Sequence, residues 1–274
     1  MAMLKSLPVP KNSRTPPRRV RAIVKPSPIP RPSKNDASGL FLAAKASARP
    51  SRIQFTTIKG MNKPSVAYNP AGLRSKYKRQ VRRAEQAMAK KKFKFPEIQI
   101  LDVFEQLTRK KDQDADDCAE LTVKAAQEFR KTSTEYIKLY DGVKEMLGRL
   151  KNSGKKLYVL SNAQRVYTLP EIQKLGIEEY FTDISLSSDF GAMKPDAVFY
   201  QQMLDRNHIN PNRSIMVGND AVCDIMAARQ ARLHTCYIRS KLSPVDDDQR
   251  YIKSDIMLDE PDMAKLCEYL LGEE

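Results

Sequence analysis

From Tyr140 onward, short apolar runs alternate with longer stretches whose apolar positions recur every three or four residues. The runs predict strands over 156–160, 184–186, 214–217 and 235–238, with a last one at 252–256. The stretches between them predict helices over 143–151, 169–175, 197–206, 221–231 and 262–271. Gly154 and Gly176 fall where the first two helices should stop. Strand and helix in this alternation imply an α/β fold, a parallel sheet with helices on both faces.

The preceding stretch patterns differently. Residues 73–92 are rich in Lys, Arg, Ala, Glu and Gln, all good helix formers, and Pro96 ends that pattern. Ile98, Leu101, Val103, Phe104 and Leu107 then recur at helical spacing, and a third helix is expected over 115–131. The boundaries expected are a small all-helical unit at 66–138 and an α/β core at 139–274.

Residues 1–60 show no periodicity. Nine prolines fall in the first fifty residues, mixed with Arg, Lys, Ser and Ala, so this basic segment is expected to be disordered. The run Val20-Arg21-Ala22-Ile23-Val24 is the one stretch there read as a strand. The composition also fits an out-of-frame or misassigned start, which reading the upstream DNA in all frames would test.

Charge divides the chain in the same way. The net charge is +15, yet residues 1–95 hold 24 Lys and Arg against only Asp36 and Glu85, and residues 96–274 are net acidic. A tail of that kind could bind nucleic acid or another polyanion; the plainer reading is a solvated extension with no partner. No apolar stretch is long enough to span a bilayer, so no membrane partner is expected. Cys118, Cys223, Cys236 and Cys267 are far apart, which predicts neither a zinc site nor a disulfide framework and fits a reducing, cytoplasmic setting. His208 and His234 fall in no motif.

In parallel sheets of this kind, ligands bind at the carboxyl ends of the strands. Three of those ends carry candidate chemistry. The strand at 156–160 runs into Ser161-Asn162, a hydroxyl and an amide able to hold phosphate oxygens; alternatively they start the next helix. Lys194 sits in the turn Gly191-Ala192-Met193-Lys194-Pro195-Asp196 and could neutralise a phosphoryl group, or be an ordinary solvated charge. The strand at 214–217 runs into Gly218-Asn219-Asp220, and Asp224 follows four residues later on the same helical face. Two hard carboxylates so placed suit Mg²⁺, or they complement the helix dipole.

Together and in this order, Ser161-Asn162, Lys194 and Asp220 with Asp224 resemble the second, third and fourth motifs of the haloacid dehalogenase (HAD) superfamily. The resemblance starts near Tyr68, includes Phe95-Pro96-Glu97-Ile98 and Leu139-Tyr140-Asp141-Gly142, and covers about three-quarters of the chain by motif comparison. It implies a phosphatase that acts on a small phosphorylated metabolite through an aspartyl-phosphate. It implies Mg²⁺ held by Asp220, with Asp224 as second ligand or orienter. Ser161 and Asn162 would bind phosphate, Lys194 would balance its charge, and the helices before residue 138 would form a cap.

The family's first motif, an apolar strand ending in D-x-D-x-T, has no clear counterpart. The window Asn35-Asp36-Ala37-Ser38-Gly39-Leu40 has a carboxylate, but the prolines before it deny it a central strand. The run ending at Val24 has a strand, but prolines follow it. Asp102 follows Ile98-Gln99-Ile100-Leu101 and superficially resembles a nucleophile. The sheet is therefore expected to need a central strand from Val20–Val24 or from a partner. The alternative function is a non-catalytic HAD-like protein.

Overall fold

The computed structural model describes residues 39–42, 70–88, 93–109, 114–134, 137–244 and 253–273. Its centre is a six-stranded sheet in the order β3-β2-β1-β4-β5-β6, parallel throughout. The strands are β1 (Gly39–Leu42), β2 (Lys156–Ser161), β3 (Asp183–Leu186), β4 (Ile215–Gly218), β5 (His234–Ile238) and β6 (Ile256–Leu258).

Alternate residues of the inner strands face opposite sides, as the pleat requires. Leu157, Ile215 and Val217 join Met146, Leu147 and Leu150 of α4 (Val143–Asn152), Ile172 of α5 (Arg165–Leu175) and Leu266 and Leu270 of α9 (Met263–Leu271). Tyr158, Leu160 and Met216 join Phe199, Tyr200 and Met203 of α7 (Ala197–Arg206) and Ala227 and Ala228 of α8 (Ala227–Gln230). Both faces are covered, which is why these strands read as continuous apolar runs. Gly176, at φ 61°, closes α5 in the left-handed conformation that favours glycine.

The central slot holds a strand that sequence pattern did not single out. Leu40 lies opposite Leu157 and Ile215, and Leu42 opposite Val159 and Val217. Gly39–Leu42 thus joins β2 to β4, although these four residues fall inside the segment 1–60 expected to lack structure. Val20–Val24 lies outside the described residues, and so does the rest of that segment.

Two further elements differ from expectation. The helix expected over 221–231 is a π-helical turn, Ala221–Met226, followed by α8. Its cause is the amide of Ile225, which reaches back five residues to the Asp220 carbonyl at 3.2 Å. The last strand lies at Ile256–Leu258, just beyond the predicted 252–256, because the Asp255 carboxylate anchors its start by accepting from the Thr235 amide at 2.8 Å.

The segment before the core contains α1 (Pro70–Met88), α2 (Ile100–Thr108) and α3 (Ala115–Ser133). Rings of Tyr77, Phe104 and Phe129 meet at 5.1–5.8 Å and hold the three together. Ahead of α2, residues 93–99 are not helical: they bend at Lys94 and Phe95 and form a strap paired with the core through the Pro96–Ala192 bridge. The residue before a proline is biased away from the helical region, so Phe95-Pro96 suits a non-helical strap. The helices dock on α5, where Val166 and Tyr167 pack against them and Arg130 forms a two-point pair with Glu171 at 2.5 and 3.2 Å.

Candidate active site

The carboxyl ends of β2 and β4 bring the sequence-predicted residues together. Ser161 closes β2 and is fully buried. The Asn162 side chain accepts from the Lys194 amide at 2.7 Å and donates to the Lys194 carbonyl at 2.8 Å. This two-point hold makes the Asn162 side chain a clamp on the Lys194 backbone.

Lys194 is buried, and its ammonium is held from two sides. It donates to the Leu160 carbonyl at 2.9 Å and to Asp224 Oδ1 at 2.7 Å. Asp224 is only 2% exposed, and its Oδ2 accepts from the amides of Asn219 at 3.1 Å and Asp220 at 3.0 Å. Both carboxylate oxygens are thus engaged, as a buried charge requires. Gly218 makes room for this: a Cβ there would lie 2.4 Å from Asp224 Oδ2.

Asp220 caps the π-helical turn, with Oδ1 accepting from the amides of Val222 at 3.1 Å and Cys223 at 2.8 Å. The helix-start reading therefore applies to Asp220, while Asp224 works as the partner of Lys194. The fully buried Tyr200 donates its hydroxyl to the Cys223 carbonyl at 2.7 Å, satisfying a group on the turn. Cys223 itself is half-buried beside the site. Burial and the neighbouring Asp220 and Asp224 push its thiol up to about 12, so it stays protonated and is no nucleophile at neutral pH.

Sequence reasoning missed the groups that fix the strap beside Lys194. Asp196 Oδ1 caps α7 through the Val198 amide at 3.0 Å, and its Oδ2 accepts from the Phe95 amide at 3.1 Å. Glu97 accepts from Ser187 Oγ at 2.5 Å, and burial raises its pKa above the usual carboxyl value. Gln164 donates to the Ile98 carbonyl at 2.8 Å and accepts from the Ile100 amide at 3.1 Å. Position in sequence could have flagged Asp196 as an N-cap; Glu97 falls in the string Phe95-Pro96-Glu97-Ile98 that carries the resemblance, but its contact with Ser187, ninety residues away, is not readable from it.

The nucleophile candidates do not converge here. Asp102 lies on the exposed side of α2, whose buried face is Ile100, Val103 and Phe104, so it ends no strand. Asp36 precedes β1 in the chain and is outside the described residues. After Leu42 the sequence continues Ala43-Ala44-Lys45-Ala46-Ser47, and no Asp or Glu occurs between 37 and 84. The Mg²⁺ set implied by the resemblance needs that missing carboxylate. Asp224 is fully committed elsewhere, and no group of three His, Cys, Asp or Glu side chains among the described residues is placed to hold a metal. The residues present do not fit that ion. A groove of about 500 Å³ lies elsewhere, against edge strand β3, lined by the paired charges Arg165 with Asp189 and Arg206 with Asp183.

The Haloacid dehalogenase-like hydrolase family matches residues 75–238, more than half of the chain. The protein belongs to this family. Among curated proteins it is similar to two phosphatases. A glyceraldehyde 3-phosphate phosphatase from Methanothermobacter thermautotrophicus is 31% identical over 36% of this chain and 44% of its own length. A phosphoglycolate phosphatase from Agrobacterium fabrum is 37% identical over 34% of this chain and 39% of its own length. The chain thus spans about two-fifths of the length of these curated relatives. The crystal structure of a 2-haloacid dehalogenase from Pseudomonas syringae pv. Tomato shares the HAD fold over 87% of this chain and all of its own, with TM-score 0.55 at 15% identity. Among the described residues no helix is long and apolar enough to cross a membrane, and all four cysteines are free.

Proposed function

We propose that the site at the carboxyl ends of β2 and β4 receives the phosphoryl group of a small phosphorylated metabolite and does not hydrolyse it through an aspartyl-phosphate. The observation that carries this reading is β1: the central strand is in place, but the sequence beyond it offers no carboxylate. What would hold the phosphoryl group remains. Ser161 stands at the end of β2, and among the described residues Lys194 spends two of its three donors, on Leu160 and Asp224. The third donor of Lys194 suits a phosphoryl oxygen. Asp224 fixes the ammonium where a rigid cation serves an anion best. The phosphatase relatives support the ligand class.

Assay with p-nitrophenyl phosphate and Mg²⁺ tests the catalytic half. No turnover above that of Asp220→Ala is expected; turnover that Asp220→Ala abolishes would show a working nucleophile and overturn the reading. Thermal shift with inorganic phosphate tests the binding half. A rise in Tm is expected for the wild type and not for Ser161→Ala, whose small change leaves the Lys194–Asp224 pair intact.

A further inference from the structure

We propose that α1 is a docking face for the phosphate backbone of nucleic acid, separate from the strand-end site. The helix divides its faces sharply. Tyr77, Val81 and Ala84 pack onto α2 and α3. At about 100° per residue, Lys78, Arg82, Arg79, Arg83 and Lys76 fall on the arc opposite that apolar stripe. All five are exposed. Among the described residues, none of the five side chains forms an ion pair or hydrogen bond with another. The one acid of α1 is Glu85.

The charge is local. Residues 96–274 are net acidic, so this face is not a sample of a generally basic surface. It spans about 10 Å of helix from Lys76 to Arg83, and three of the five cations are Arg, which suit bidentate phosphate contacts.

One feature selects a nucleic acid over an anionic membrane. A membrane-surface helix needs a free apolar face, and that of α1 is spent on Phe104 and Phe129. The exposed arc also carries no aromatic residue, so bases have nothing to stack on and binding is expected through phosphates, without sequence preference.

The test uses the full chain, with its basic N-terminal residues intact, and a labelled single-stranded RNA of about 20 nucleotides in an anisotropy titration across salt concentrations. Wild type should bind with a log–log salt slope to which five cations contribute about −3.5. Changing Lys76, Lys78, Arg79, Arg82 and Arg83 together to Gln should weaken binding at least about tenfold and remove most of that slope. Arg79→Lys, Arg82→Lys and Arg83→Lys together keep the charge and should keep most of the affinity. Unchanged affinity in the Gln variant, with its circular dichroism also unchanged, would overturn the proposal, as would no binding by the wild type at low salt. So would retention by phosphatidylserine vesicles but not by phosphatidylcholine vesicles, lost in the Gln variant and tighter than RNA binding at the same salt, because that points to an anionic membrane.

Discussion

Lys194 and Asp224 form a closed unit whose energetics depend on both partners being present. Asp224→Asn leaves a buried ammonium without its counter-charge and should cost about 3–5 kcal/mol in urea unfolding. Adding Lys194→Met to that variant should recover most of the loss, because a neutral pair has no charge to strand. Gly218→Ala forces a methyl into the Asp224 carboxylate and should cost about 1–3 kcal/mol by the same measurement. Glu97 gives a pH signature of known sign. Burial raises its folded pKa, so the folded state holds the proton more tightly than the unfolded chain. The wild type should therefore lose stability as pH rises from the ordinary carboxyl value through the raised folded value. Glu97→Gln should show a flatter profile across that window in urea midpoints taken pH by pH, and a slope as steep as wild type would exclude Glu97 as its source.

At the scale of elements, the π-helical turn and β1 set what the site can do. Tyr200→Phe removes the donor to the Cys223 carbonyl and should cost about 1–3 kcal/mol, since the buried acceptor is left bare. The strand ends were legible because they are local strings: Ser161-Asn162 after an apolar run, Lys194 before Pro195, and Asp220 four residues before Asp224. Their contacts were not legible. The pairing of Lys194 with Asp224, or of Asn162 with the Lys194 backbone, joins residues about thirty apart through the order of strands. Strand β1 was illegible for a stronger reason. Four residues are too few for a period, and what makes them a strand is hydrogen bonding to β2 and β4, whose sequences lie far downstream. The same strand offers a gain-of-function test. Ala43 follows Leu42 where the family's nucleophile would stand, so Ala43→Asp with Lys45→Asp should introduce Mg²⁺-dependent hydrolysis of p-nitrophenyl phosphate. No gain in activity would mean that the site lacks more than its carboxylates.

At the scale of the molecule, β1 is the strand that, among the described residues, joins two half-sheets, β2 with β3 and β4 with β5 and β6. It is also the first of the six strands in the chain. During synthesis at roughly 5–20 residues per second, Leu40 would wait roughly 10–35 s before its partner Ile215 is made. Both edges of β1 are open until β2 is made, and the edge that β4 covers stays open through the whole interval, its amides and carbonyls available to any passing strand. The order of synthesis thus gives the first-made of these strands the longest wait for its second partner, which makes the nascent chain a natural client for chaperones that shield unpaired edges.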